Sequence, residues 1–138
     1  MSLQKYTSKQ VQILRPASVI YFALSSFNNF TPIIADKVED WSANDDTCSF
    51  KAKGFNVGLK MVERTPNECI KIEGDDSSPM PFTFWLQMKE MAESDTRVRI
   101  VLHVELNMMM KMMVGDKLQE AVDTMAEKIA ESFNNAPI

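Results

Sequence analysis

The chain counts 138 residues, 45% of them hydrophobic and 25% charged, the balance of one ordinary globular domain spanning residues 1–138. Its net charge of −4 leaves no basic footprint for nucleic acid and disfavours anionic membrane surfaces. No stretch of about 18 apolar residues offers a membrane span, and the polar opening MSLQKYTSKQ lacks the apolar core of a signal peptide. A cytoplasmic protein without membrane insertion is therefore expected. Cys48 and Cys69 have no CxxC spacing and the chain holds one histidine. Neither a metal site nor a cofactor is expected, and both thiols read as reduced and buried.

The first segment, 5–14, is polar and ends in alternating Val11 and Ile13, which suits an edge strand. Pro16 then fits a first helical position, where its missing N–H costs nothing. Val19, Ile20, Ala23, Leu24 and Phe27 follow at helical spacing. Residues 28–32 close this helix, and 32–37 form a second short turn. From 38 to 107 the apolar period changes to two, with turn-rich clusters at 42–47, 65–68, 74–81 and 93–96. The strands expected between them cover 38–42, 47–53, 55–64, 68–74, 82–92 and 97–107, and such even spacing favours antiparallel hairpins.

One face of these strands is apolar throughout. It carries Phe55, Val57, Leu59 and Met61, then Ile70 and Ile72, then Phe82, Phe84, Leu86 and Met88, and finally Val98, Ile100, Leu102, Val104 and Leu106. The other face carries Lys60, Lys71, Glu73, Gln87, Lys89, Arg97, Arg99, His103 and Glu105. A sheet with one dry and one wet face needs a cover. The last segment supplies it: Val114, Leu118, Val122, Met125, Ile129 and Phe133 step by threes and fours, one stripe of an amphipathic helix. A helix of about 20 residues ending near Asn134 is expected to lie along the apolar face.

Three stretches carry a family resemblance: RPASVIYFALSSF at 15–27, CSFKAKGFNVGLKMVERTPNECIKIEG at 48–74, and VRIVLHVELNMMMKMMVGDKLQEAVDTMAEKI at 98–129. Together with the element order, they resemble the START-like superfamily, also called SRPBCC, which includes polyketide cyclase-like and pollen-allergen-like proteins. The resemblance implies an α+β helix-grip fold. In it a curved antiparallel sheet of about seven strands wraps a long C-terminal helix, and two short helices follow the first strand. It also implies a hydrophobic cavity between sheet and helix that takes a small apolar molecule, lipid-like or polyketide-like. Some relatives cyclise or dehydrate such ligands, some carry or sense them, and others act as co-chaperone modules. On this reading the cavity lining comprises Phe55, Val57, Leu59 and Met61; Phe84, Leu86 and Met88; Ile100, Leu102 and Val104; and Met110, Met113, Leu118, Val122 and Met125 of the helix.

Candidates for chemistry are few. Glu63 shares the phase of Met61 and Leu59, so a straight strand would point it inward, where burial would raise its pKa and suit it to acid–base work. Asp40 flanks Trp41 on a strand of unsettled phase. His103 falls in the wet phase and would need a bulge to reach the cavity. Trp85 also lies in the wet phase, either as a partner surface or covered by the N-terminal segment. Gly58 inside a strand marks a bulge or room for a neighbour.

The run Met108, Met109, Met110, Met112 and Met113 points in nearly every direction at about 100° per residue. Met110 and Met113 come closest to the stripe of Val114 and Leu118. The run is either a helical first turn buried on several sides or a separate loop before a helix capped afresh at Asp116 with Gln119 behind it. Core packing, an adaptable cavity wall and a partner surface, including a homodimer, are the roles open to it. The favoured function is binding of a small hydrophobic molecule without chemistry. The alternatives are a cyclase- or dehydratase-type enzyme and an interaction module.

Overall fold

A computed structural model describes residues 2–52, 54–75 and 81–136; the side chains of Ser2, Ile33, Ala52 and Phe55 also lie outside the described set. Two strands, β1 (Ser2–Thr7) and β2 (Val11–Ile13), precede helix α1 (Ala17–Leu24). A single 3-10 turn at Phe27–Phe30 leads into the short helix α2 (Thr31–Ile34). Six strands follow: β3 (Glu39–Ala43), β4 (Thr47–Ala52), β5 (Phe55–Thr65), β6 (Cys69–Gly74), β7 (Phe82–Ala92) and β8 (Asp95–Leu106). Helix α3 (Met108–Asn134) ends the order.

The strands form one antiparallel sheet in the order β1-β8-β7-β6-β5-β4-β3, with β2 also pairing β8. The expected first strand is thus two strands on one edge, and Ser8 is the reason. Its N–H donates to the Ile100 carbonyl at 2.8 Å, while its Oγ accepts the Ile100 N–H at 2.8 Å. A side-chain oxygen so replaces one backbone acceptor, the chain kinks, and the ladder resumes at Val11 opposite Val98. Ser8 and Thr96 are the buried polar residues of the described chain, and Thr96 is satisfied by donating to the Arg15 carbonyl at 2.8 Å.

Helix α1 begins one residue later than Pro16, which stands at the capping position. A carboxylate from the sheet caps its first turn: Glu90 Oε1 accepts the Ala17 N–H at 3.0 Å. Turn chemistry sets the hairpins. Between β5 and β6, Pro66 is followed by Asn67 at φ 64, and the Glu68 N–H donates to the Thr65 carbonyl at 3.0 Å. That is a type II turn, in which proline presets the first central residue and asparagine tolerates the left-handed second one. Between β3 and β4, Asn44 Oδ1 accepts the N–H groups of Asp46 and Thr47 at 2.9 and 2.8 Å.

The core lies between the sheet's apolar face and the helices. Ile13, Ile20, Ile70, Ile72, Leu86, Val98, Ile100 and Leu106 are fully buried, closed over by Val122, Ala126 and Ile129 of α3. The backbone of α3 runs closest along β8, β1 and β2. Polar contacts hold it there. Gln119 Nε2 donates to the Thr7 carbonyl at 2.9 Å, Asp123 Oδ1 accepts the Lys9 N–H at 2.7 Å, and Lys9 pairs with Glu127. Asn134 accepts from Leu14 N–H and donates to the Gln12 carbonyl. Gly115 lets the hydroxyl of Tyr6 approach the helix, with 3.3 Å left for a β-carbon.

Candidate functional site: the trough beside the long helix

Sheet pairing fixes what α3 faces. Cys48 pairs with Leu59 and Phe50 with Val57; Met61 pairs with Ile72; Ile72 with Phe84 and Ile70 with Leu86; Phe84 with Leu102 and Leu86 with Ile100. All therefore share the inner face. On α3, the flank carrying Gly115, Gln119 and Asp123 is turned to β1 and β2, as its contacts show. At about 100° per residue, Met110, Val114, Leu118 and Met125 lie on the opposite flank, above the β3–β7 half of the sheet.

Burial divides this interior in two. Where α3 lies on the sheet edge, Val98, Ile100, Leu106, Ala126 and Ile129 have at most 2% of their surface accessible, so no space of water size opens among them. Leu86 and Val122, expected as cavity lining, belong to this dry part, as does Ile100. On the other half, Trp41, Phe50, Val57, Leu59, Phe82 and Phe84 from the sheet are half-buried, as are Met110, Val114 and Leu118 from the helix. All but Val57 pack against the core cluster. The inner face of β3–β7 flanked by these residues is termed the trough. Met61, Met88, Leu102 and Val104 are buried at its floor. Trp41 is fixed by donating from Nε1 to Thr31 Oγ1 at 2.8 Å and by its contact with the Phe50 ring, 6.0 Å between centroids. Phe82 and Phe84 stack at 5.9 Å.

Several expected positions are corrected. Helix α3 is continuous from Met108, because Asn107 Oδ1 accepts the Met110 N–H at 2.8 Å. Asp116 is an ordinary mid-helix residue, and the helix is 27 residues long. Met113 is 67% exposed and lines no cavity, since it lies opposite Val122 around the axis. Met125 is not on the buried stripe; Ala126 takes that place at 0%, and Met125 sits on the trough flank, 40% exposed. Phe55 lies outside the residues whose side chains are described.

The groups considered for chemistry do not gather in the trough. A register shift between Met61 and Glu63 reverses the phase of β5, so Glu63 stands opposite Lys71 on the outer face and is exposed. The inward phase passes to Arg64, opposite Ile70. Its guanidinium donates to the Ser25 carbonyl at 3.0 Å and to Asp46 Oδ1 at 2.8 Å, which ties β5 to α1 and to the β3–β4 turn. Asp40 is exposed at φ 56 in the bulge of β3. His103 stays on the outer face, half-buried edge-to-face against Trp85 at 4.6 Å between centroids. Trp85 also has Lys71 Nζ 5.8 Å from its ring. The N-terminal strand pairs beside β8 and does not cover it. Gly58 leaves room for the carboxylate of Asp75, which a β-carbon would strike. Cys48 is buried, and burial, followed by the charge of Asp75, pushes its thiol up to about 12. Cys48 and Cys69 are free thiols.

The sequence could have shown the bulge at Val62 only weakly; the signal was a lone carboxylate in an apolar phase. Arg64, unremarked in the sequence, anchors a second, polar depression of about 510 Å3 lined by Phe22, Ser25, Asn28 and Asp45. There Asp45 accepts from Ser26 and Asn28, and those hydrogen bonds hold its carboxyl below the usual range.

No protein-family model matches the sequence, and no curated protein matches it at the level of sequence. The structure is similar to that of a START superfamily protein from Mycobacterium smegmatis, with a TM-score of 0.68 at 12% identity over 96% of this chain and 97% of that one. It is similar to norcoclaurine synthase from Thalictrum flavum in complex with dopamine and hydroxybenzaldehyde, with a TM-score of 0.75 at 7% identity over 99% and 90%. The Aha1 dimer from Colwellia psychrerythraea matches with a TM-score of 0.66 at 18% identity over 95% and 96%. The fold is the START-like helix-grip fold, and among the described residues no helix is long and apolar enough to cross a membrane.

Proposed function

We propose that this chain binds a small hydrophobic molecule, lipid-like or polyketide-like, in the trough between α3 and the inner face of β3–β7, and does so in the cytoplasm without chemistry. One observation carries the reading: apolar side chains on the inner face of the sheet and on the adjoining flank of α3, Phe50, Phe84, Leu118 and Met125 among them, stay partly exposed. Apolar surface left wet inside a concavity gains about 25 cal/mol per Å2 when a ligand covers it, and concave, mostly apolar sites are where small molecules bind. The fold's occurrence in norcoclaurine synthase, solved in complex with dopamine and hydroxybenzaldehyde, supports small-molecule binding as a use of this fold. Binding is favoured over a cyclase or dehydratase activity because Glu63, Asp40 and His103 project elsewhere.

Native mass spectrometry and solvent extraction of the purified protein test this, followed by titration with a fluorescent fatty acid. A bound or titratable apolar ligand whose affinity falls at least tenfold in Leu118→Glu is the expected result. A protein that neither co-purifies with nor takes up apolar ligands refutes it. A second reading, an interaction module or homodimer, is favoured by Met108, Met109, Met112 and Met113, which are 67–82% exposed on two turns of α3. Light scattering across a dilution series tests it, and a monomer throughout speaks against a homodimer.

A further inference from the structure

The outer face of the sheet holds a depression of about 340 Å3 lined by Gln10, Gln87, Met88, Lys89, Arg97 and Arg99. Three cations and two amides line it, with no carboxylate, in a chain whose net charge is −4. Lys89 stands directly opposite Arg97 in the β7–β8 ladder, with Arg99 next along the same face opposite Gln87. Like charges directly opposite each other destabilise a sheet. A folded chain keeps such a conflict mostly where a site needs it.

Elsewhere on this face one lysine is flanked by carboxylates. Lys71 has Glu63 at 4.0 Å and Glu73 at 3.8 Å. Around the depression, among the described residues, only Arg97 has such a partner, Asp95, which engages both Nε at 3.1 Å and Nη2 at 3.4 Å and so fixes the guanidinium. Arg99 is fixed by a neutral group instead: its Nε donates to Gln87 Oε1 at 2.6 Å. Among the described residues, Lys89 and Arg99 have no ion pair. Two uncompensated positive charges on rigid, adjacent strands face one concavity, and the two amides beside them can donate or accept.

We infer that this depression binds a phosphate monoester through Lys89 and Arg99, with Arg97, Gln10 and Gln87 completing the shell. A phosphate monoester carries between one and two negative charges near neutral pH, which matches the two uncompensated cations. Guanidinium groups bind its oxygens in paired hydrogen bonds, and a lysine adds a point charge. The site is on the opposite face of the sheet from the apolar trough, so it stands whether or not the trough takes a ligand.

The test is an NMR titration of the full chain with inorganic phosphate and with glycerol 3-phosphate, ionic strength being held constant with chloride to cancel screening. Trp85, two residues from Gln87 on the same face, gives a second reading by fluorescence. Saturable shifts confined to residues 87–89 and 97–99 are expected, together with at least a tenfold weakening in a Lys89→Gln/Arg99→Gln double variant. Lys89→Gln alone is expected to weaken binding while leaving stability equal or higher, because it removes the repulsion from Arg97. A purely structural lysine would lower stability instead. Vesicles of phosphatidylcholine with and without phosphatidic acid separate the sources: binding only with phosphatidic acid assigns the phosphate to a lipid headgroup, binding of the free esters assigns it to a soluble molecule. Response to none of these, shifts spread over lysines across the whole surface, or an unaltered affinity in the double variant overturns the inference.

Discussion

If the interior is dry beneath one flank of α3 and open to water beside the other, the same truncation must cost different amounts along one helix. Ile129 is 2% exposed and is surrounded by core. Ile129→Ala removes apolar groups worth about 0.8 kcal/mol per methylene and leaves an enclosed void, so a loss of about 3–4 kcal/mol is expected within the usual range for such changes. Leu118 loses a similar volume in Leu118→Ala, but it is half-buried and its removal widens a trough already open to water. The void term vanishes and part of the transfer term was never gained, which leaves about 1–1.5 kcal/mol. Helix propensity favours alanine over isoleucine by a few tenths more than over leucine, so it narrows the gap only slightly. Equilibrium urea unfolding followed by far-UV circular dichroism measures both variants, with equal m-values as the check that the compared states are alike. A difference near 2 kcal/mol, or about thirtyfold in the unfolding constant, is expected. If Leu118→Ala costs as much as Ile129→Ala, the trough is closed and the argument for a ligand there fails.

Other consequences follow from single contacts. Asn107→Ala should cost about 1 kcal/mol and Asn107→Gly only a few tenths, as for any helix cap, whereas Asp116→Ala should change stability by less than about 0.5 kcal/mol; the reverse order would place the helix start at Asp116. Asp45, Asp95 and Asp123 have carboxyl pKa values lowered by hydrogen bonds from Ser26, from Arg97 and from the Lys9 backbone respectively. Because these folded-state values lie below the unfolded value of about 3.9, the stability they add is present above that pH and is lost as pH falls through the lowered values. Urea midpoints between pH 5 and pH 2.5 should therefore fall, and fall less steeply in Asp123→Asn; parallel curves would contradict the assignment. Cys48, with its thiol pushed up to about 12 by burial, should resist alkylation at pH 8 until the chain is unfolded, and rapid labelling of the native protein would show that it is not enclosed.

The parts of this fold legible in the sequence are those with long, regular periods. The alternation through β7 and β8 and the four-and-three stepping of α3 reflect large apolar residues on one face, and burial followed them closely at Leu86, Ile100, Val122 and Ile129. What escaped was decided by single residues. Alanine contributes little to an apolar pattern, so Met125 was assigned the buried place that Ala126 holds. A bulge leaves no mark in a two-residue period except a misplaced polar residue, so the straight phase points Glu63 inward while the bulged strand turns Arg64 there. Ser8 split the first strand through a hydrogen bond to Ile100, a partner 92 residues away that no local pattern announces. The outer cleft depends on Lys89 meeting Arg97 across the ladder; either residue alone reads as a solvated strand position.

The methionine run shows how helix geometry sorts an ambiguous stretch. Because Asn107 caps the helix directly after β8, the first two turns rise from the strand with no room for a change of phase. Only the flank toward the sheet can be covered, and it presents Met110 and Val114 to the upper end of the trough. Met108, Met109, Met112 and Met113 are 67–82% exposed. An apolar girdle at this place costs solubility yet gives the trough mouth an unbranched, polarizable side chain that adopts many shapes. Selection for core packing would have required one flank to be methionine and the others polar. The sequence instead keeps methionine all around the turn, and light scattering across a dilution series tests whether a second copy covers those left outside the core.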